Sequence, residues 1–240
     1  MVPKNINIKW TSVESIIGYL REIAQPKNLE GMARYGIRTE KAIGTSIPIL
    51  RQLAKEIDTN HQLAQELWKT EIHEARILAC FIDSPREVSE EQMETWVKDF
   101  NSWDLCDQCC NNLFAKTVFA RQKAIEWANR KEEFVKRAGF VMMAVLAVHD
   151  KKSDDELFRD FLKHIYEEAT DERNFVKKAV NWALRQIGKR NLELNQEATN
   201  TAKAVQKLDS KSAKWIAADA IRELSDEKML NRIKSKAGKK

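Results

Sequence analysis

Glycine and proline are scarce here, 7 and 4 among 240 residues. Strands joined by tight turns draw heavily on both, so the composition argues against a β-rich architecture and for helices, whose favoured residues Ala, Leu, Glu, Lys and Arg fill the long segments. Cysteine is also sparse. Three of the 4 cysteines, Cys106, Cys109 and Cys110, crowd onto one helical turn and Cys80 stands elsewhere, which is no disulfide framework. No histidine sits near them at ligand spacing, so they read as small buried apolar residues and no metal is expected. The run His73-Glu74-Ala75-Arg76-Ile77 likewise misses the zinc-binding H-E-x-x-H pattern at its last position. Long apolar runs are missing too: the longest, Ala138 to Val148, falls far short of the roughly 20 residues needed to span a bilayer. The N-terminus lacks the basic start, apolar run and small-residue cleavage site of a secretory leader. The expectation is a cytoplasmic protein with no membrane partner. A charge of one sign barely prevails, 41 basic against 36 acidic residues giving +5, so only local clustering of cations could build a polyanion site.

What the sequence does hold is helix signals. Thr11 with Glu14 makes a capping box for a helix to about Gln25, which Pro26 ends; a short helix through Met32 and Ala33 stops at Gly36. Ser46, followed by Pro48 in the first turn, opens a helix ending near Ile57. Further helices are predicted at 61–69, 72–83, 89–100, 102–115, 118–130, 132–149, 154–168, 172–189, 193–208, 211–224 and 226–235. The connections are short, as in stacks of helix pairs. No linker or low-complexity stretch interrupts the chain, which reads as one domain over 1–233 with a flexible basic tail over 234–240.

A weak repeat runs through these helices. Phe134-Val135-Lys136-Arg137-Ala138 recurs as Phe175-Val176-Lys177-Lys178-Ala179, Ser212-Ala213-Lys214-Trp215 echoes it, and Glu74-Ala75-Arg76-Ile77 resembles a degraded early copy. From Arg76 to Asp107, Arg137, Lys178 and Lys214 the steps are 31, 30, 41 and 36 residues. Such spacing suits an all-α stack of HEAT or armadillo-type repeats, in which one helix of each pair lines a continuous concave surface.

Several stripes on these helices fall outside the core. In Ser102-Trp103-Asp104-Leu105-Cys106-Asp107, a helix places Trp103, Asp107 and, further on, Phe114 on one face, about 120° from Leu105, Cys106, Cys109 and Leu113. On the helix from Asp171 the core stripe is Val176, Ala179, Val180, Ala183, Leu184 and Ile187, while Lys178, Trp182, Arg185 and Lys189 form a second, cationic stripe holding one indole. Lys211, Lys214 and Arg222 line up similarly on the next helix of that kind. Taken singly such stripes are usually solvated faces; their recurrence at equivalent repeat positions, with Trp among them, is what points to a basic wall. Arg137 begins a stripe that continues as Val141, Ala144 and Val148, so its guanidinium requires a partner, either a carboxylate such as Asp107 or a phosphate. Trp10, Trp68, Trp96, Trp127 and Trp215 read as packing residues.

With Met32-Ala33-Arg34-Tyr35, Gly44-Thr45-Ser46-Ile47-Pro48, Ser102 to Asp107, Val135-Lys136-Arg137-Ala138 and Phe175 to Trp182, the chain resembles the AlkD family of HEAT-like-repeat DNA glycosylases. The likeness runs in order through essentially the whole chain, and the combination is specific where each string alone is not. The resemblance implies a C-shaped, right-handed superhelical stack that grips duplex DNA in a basic concave face and excises N3- or N7-alkylated purines. It implies a catalytic set of Asp107, Trp103 and Trp182, with the tryptophans flanking the lesion's backbone and the aspartate acting at the deoxyribose, and Arg137 holding DNA. Tyr35 and Ser46 would border the same cleft, and Lys178, Arg185, Lys189 and Lys214 would meet phosphates. No cofactor and no obligate protein partner are implied, and a monomer suffices. Two departures concern lesion preference: Ile47 stands where a polar residue is common, and Ser102 where relatives often carry a second tryptophan before the Trp-Asp pair.

These residue types suit that reaction. An N3- or N7-alkylated purine is cationic and leaves as a neutral base, so the protein must chiefly stabilise positive charge growing on the deoxyribose. A carboxylate beside C1′ does so and can orient water; an indole face attracts a cation by roughly 0.5–2 kcal/mol. Two other readings stay open: a HEAT-like protein that binds distorted or branched DNA without excision, and a protein-interaction scaffold, since helical solenoids serve all three roles.

Overall fold

A computed structural model of the chain describes residue 10 and residues 12–237, and is helical throughout with no strand among the described residues. It divides into two compact units, one reaching Met93 and the other beginning at Glu94. No helix is long and apolar enough to cross a membrane among the described residues.

The first unit holds α1 (Val13–Glu22), α2 (Pro26–Arg34), α3 (Ile47–Ile57), α4 (His61–Lys69) and α5 (His73–Ile82). Ser12 caps α1 by accepting from the Ser15 amide at 3.2 Å; Thr11, expected as the cap, lies outside the described residues. α1 ends at Glu22, and Pro26 opens α2 instead of merely ending the helix before it, because a first-turn proline lacks only an N–H that the helix would leave unbonded. Ser46 occupies the N-cap of α3 as expected, although its side chain makes no capping bond. Ile16, Leu20, Leu50, Leu53, Leu67 and Leu78 are among the buried apolar side chains.

α6 (Glu90–Lys98) spans the junction. The second unit continues with α7 (Trp103–Asn112), a 3-10 turn at Phe114–Lys116, α8 (Ala120–Ala128), α9 (Glu133–His149), α10 (Asp155–Glu168), α11 (Asn174–Ile187), α12 (Leu192–Val205), α13 (Lys211–Leu224) and α14 (Glu227–Ala237). α9 is buried from Val135 to Ala147, the signature of a helix enclosed on all sides. Its Gly139 is required by close packing: a Cβ there would lie 2.3 Å from the Ala128 amide nitrogen on α8.

Cross-helix contacts define the order of the inner layer. The thiols of Cys106 and Cys110 lie 3.7 and 3.9 Å from the carbonyls of Phe134 and Ala138, both 28 residues on, so α7 and α9 run side by side in the same direction. Asn181 to Asp219 and Arg185 to Glu223 repeat a step of 38, which sets α11 parallel to α13. α9 packs extensively on α11, with Phe134 and Phe175 rings 5.6 Å apart. Alternate helices thus form the ladder that the repeat spacing implied.

Three expectations change. The backbone leaves the α conformation at Leu113 (φ −123°, ψ −67°), so Phe114 is not on the face of Trp103 and Asp107; it is fully buried among Trp96, Phe100 and Trp127 at 6.4, 6.1 and 5.6 Å. Trp68, Trp96 and Trp127 are buried, but Trp215 is 42% exposed, with the flexible Lys177 side chain over its ring. The segment expected to begin a flexible tail at 234 continues α14 to Ala237, and residues 238–240 lie outside the described residues.

Candidate active site

Ser102 precedes α7 in extended conformation (φ −152°, ψ 155°), and Trp103 and Asp107 follow one helical turn apart on a shared face. Both are half-buried. Arg137, from α9, grips the carboxylate with two parallel bonds: its Nε donates to Oδ1 at 3.0 Å and its Nη2 to Oδ2 at 2.8 Å. Its Nη1 donates to the Phe175 carbonyl of α11 at 2.6 Å, so one guanidinium ties three helices together. Arg137 is 5% exposed, whereas the Asp107 side chain keeps 20% of its surface open. The cation therefore lies behind the carboxylate, directed into the protein. Asp107 is thus the carboxylate partner that a guanidinium in an apolar stripe requires.

Burial pushes the Asp107 carboxyl above its ordinary range, against the pull of Arg137 and with a further push from Asp104. Burial pulls the Arg137 guanidinium down, but the Asp107 charge, the neighbouring Cys106 and Cys110 and the hydrogen bonds to Asp107 together outweigh it and hold the group above its ordinary value. Arg137 is thus a permanent cation at Asp107, and a bidentate pair of this kind fixes direction as well as charge.

On α11, Asn181 and Arg185 bond to α13, and Lys178, seven residues before Arg185, shares the stripe of Arg185, with Trp182 beside it. Lys178 is exposed, with no carboxylate at ion-pair distance among the described residues, and Trp182 is half-buried. The rest of the expected cationic stripe is neutralised. Arg185 and Lys189 both pair with Glu223, and Arg185 also lies 3.5 Å from Asp219, because Asp219 and Glu223 stand one turn apart on the facing side of α13. Lys214 is exposed and 3.4 Å from Asp209. Sequence reasoning passed over Asp219 and Glu223, whose i,i+4 spacing puts them on one face of α13 but does not show which helix that face meets.

Tyr35 and Ser46 belong to the first unit. Tyr35 closes α2 and is 72% exposed. Ser46 follows a pinned loop: the amides of Ile43, Gly44 and Thr45 donate to the carboxylate of Glu74 on α5 at 2.8, 2.6 and 3.3 Å, with Gly44 at φ 93°. Glu74 is 1% exposed. This concave cluster of N–H groups is an anion cradle filled from within.

The described residues contain no group of three or more His, Cys, Asp or Glu side chains able to hold a metal. All four cysteines are buried, and burial pushes the Cys106 thiol well up, as befits packing residues.

The family of DNA alkylation repair enzymes matches residues 16–224 of the chain. A solved structure, described as a member of a new family of proteins related to the HEAT-like repeat DNA glycosylases with affinity for branched DNA structures, superimposes with a TM-score of 0.74 at 20% identity. The likeness covers 88% of this chain and 94% of that one. Among curated proteins no significant sequence match is found.

Proposed function

The chain belongs to the family of DNA alkylation repair enzymes, and on that premise we propose that it is a DNA glycosylase that excises cationic N3- or N7-alkylated purines from duplex DNA, as a monomer and without a cofactor. The observation that carries this reading is the Asp107 carboxylate: clamped by two donors, one turn from Trp103, yet a fifth open to solvent. A carboxylate has about four lone-pair sites, and Arg137 takes two, so an oxygen remains to face a sugar or a water. At an effective dielectric of 20, a full charge about 4 Å away contributes about 4 kcal/mol, which is worth roughly 10³-fold in rate if it acts only as positive charge develops on the deoxyribose. Arg137 offsets part of that attraction but removes the need for Asp107 to reorient during the reaction. In this role Arg137 is a positioning residue.

Trp103 and Trp182 would flank the deoxyribose and favour a cationic nucleotide over a neutral one. Lys178 is the exposed cation that suits a phosphate directly, Lys214 would exchange its exposed pair with Asp209 for one, and Arg185 and Lys189 would have to part from Glu223 first. Such contacts confer affinity without sequence preference. The direct test is incubation with duplex DNA bearing 7-methylguanine or 3-methyladenine and detection of free base, in the presence of a strong chelator. Release is expected; its absence alongside retained duplex binding would overturn the excision reading.

A second reading, binding of distorted or branched DNA without excision, has one feature in its favour. Both Asp107 oxygens already accept from Arg137, an arrangement that a purely structural ion pair would also have. Under that reading the same assay yields binding and no base.

A further inference from the structure

Trp215 is a large indole left 42% exposed on α13, and the proposed reaction does not use it. Its neighbours are cations. The Lys177 ammonium lies 5.5 Å from its ring centroid, and Lys211 and Lys214 are exposed on the same helix. The nearby carboxylates are already engaged: Glu172 accepts from the Ser210 hydroxyl and the Ser212 amide, and Asp209 pairs with Lys214. Among the described residues, no carboxylate lies at ion-pair distance from Lys177 or Lys211. An indole under one ammonium group, with two further exposed lysines on its helix, is poorly suited to an apolar partner, which would have to desolvate those charges. It is well suited to a polyanion that also offers flat π faces.

The register of the ladder fixes where this lies. The step of 38 that joins Asn181 to Asp219 and Arg185 to Glu223 also joins Lys177 to Trp215. Trp215 is therefore level with a point five residues before Trp182, about 7.5 Å along the axis, and one helix over, about 8–10 Å away. The two backbones are thus roughly 12 Å apart, about three to four nucleotide steps at 3.4 Å each. In intact duplex the base faces are stacked on one another and only edges and phosphates are presented. An indole face can stack only on a base that has left the helix.

We infer that Trp215, with Lys177, Lys211 and Lys214, forms a second nucleic-acid site that stacks an unpaired base of a strand leaving the duplex a few nucleotides from the candidate active site. The inference rests on the DNA-binding part of the proposed function. The preferred substrate is then a lesion near a frayed end, gap or single-stranded arm. Lys177, now over the ring, either shifts to a phosphate or holds the far face of the indole.

Fluorescence anisotropy with a blunt duplex, and with the same duplex carrying a single-stranded tail of about eight nucleotides, tests this. The tail is expected to tighten wild-type binding about tenfold. W215A should lose that gain, and W215F, which keeps a ring, should retain most of it. A tail that adds nothing to the wild type, or a gain that survives in W215A, overturns the inference while leaving duplex binding and excision standing. A wild type that binds the tailed duplex but not the blunt one, with the gain lost in W215A, supports the second site and sinks the duplex reading instead.

Discussion

Glu74 and Asp107 are both helix-borne carboxylates set against the protein interior, and they differ in what they leave open. Glu74 receives three backbone N–H groups and is 1% exposed; its charge is fully used in holding the loop at 43–45. Asp107 receives one guanidinium and keeps 20% of its side chain accessible beside a tryptophan. Backbone amides are fixed in place and close around an anion from several directions, whereas a bidentate arginine approaches from one side and leaves the opposite side of the carboxylate available. The difference between a closed anchor and a carboxylate with an open side lies in the donor set, since the residue types are nearly the same.

The largest expected effect is at Asp107. D107N keeps the shape and removes the charge, and should lower base release about 10²–10³-fold, the scale of deleting one preorganised electrostatic partner, with duplex affinity changed little. Arg137 then loses its counter-charge, so the melting temperature falls as well; single-turnover assays well below that temperature separate the two effects. Unaltered release by D107N would leave Asp107 as an anchor like Glu74.

Glu74 should answer in the other observable. E74Q replaces one acceptor oxygen with an NH2 that opposes the loop amides, leaving a buried donor unsatisfied at a cost of about 1–3 kcal/mol. Thermal denaturation should show a loss of several degrees. A melting temperature within error of wild type would show that the loop does not depend on that carboxylate.

The pH dependence sharpens the contrast further. Burial raises the Asp107 carboxyl above its ordinary value of about 4, and the proposed excision needs the anion, so activity should be complete above the raised value and lost as pH falls through it. Single-turnover rates, corrected for spontaneous acid depurination, should show that acidic limb displaced upward. R137Q should displace it further, because the guanidinium is what opposes burial. A limb at or below the ordinary carboxylate range would mean that Arg137 outweighs burial.

The helices were largely legible in the sequence, since caps, prolines and 3.6-residue stripes are local signals; α4 matches its expected span of 61–69 to the residue. Asp107 and Trp103 were legible as a polar and aromatic pair outside the core stripe. What was not legible depends on partners distant in the chain. Phe114 was misplaced because the helix stops two residues before it, at Asn112, and a wheel extrapolated past a break has no meaning. Arg185 and Lys189 read as open cations because nothing local reveals that Glu223, across a step of 38 for Arg185, faces them. The repeat spacing of 30 to 41 residues seen in the sequence is too irregular to supply that register.

That concealed pairing yields the smallest expected effect and a direct check of the cationic wall. Lys178 has no carboxylate at ion-pair distance among the described residues, while Arg185 and Lys189 share one. K178A should therefore weaken duplex binding and make the log-log salt dependence shallower by about 0.9, one phosphate contact. R185A removes a cation already neutralised, so its effect should be smaller. E223Q should go the other way: with the shared anion gone, both cations can turn to phosphates, tightening binding a few-fold and steepening the salt slope by up to about two contacts. If E223Q leaves the slope unchanged, that part of α11 does not face DNA, and the basic surface narrows to Lys178, Lys214 and the cluster around Trp215.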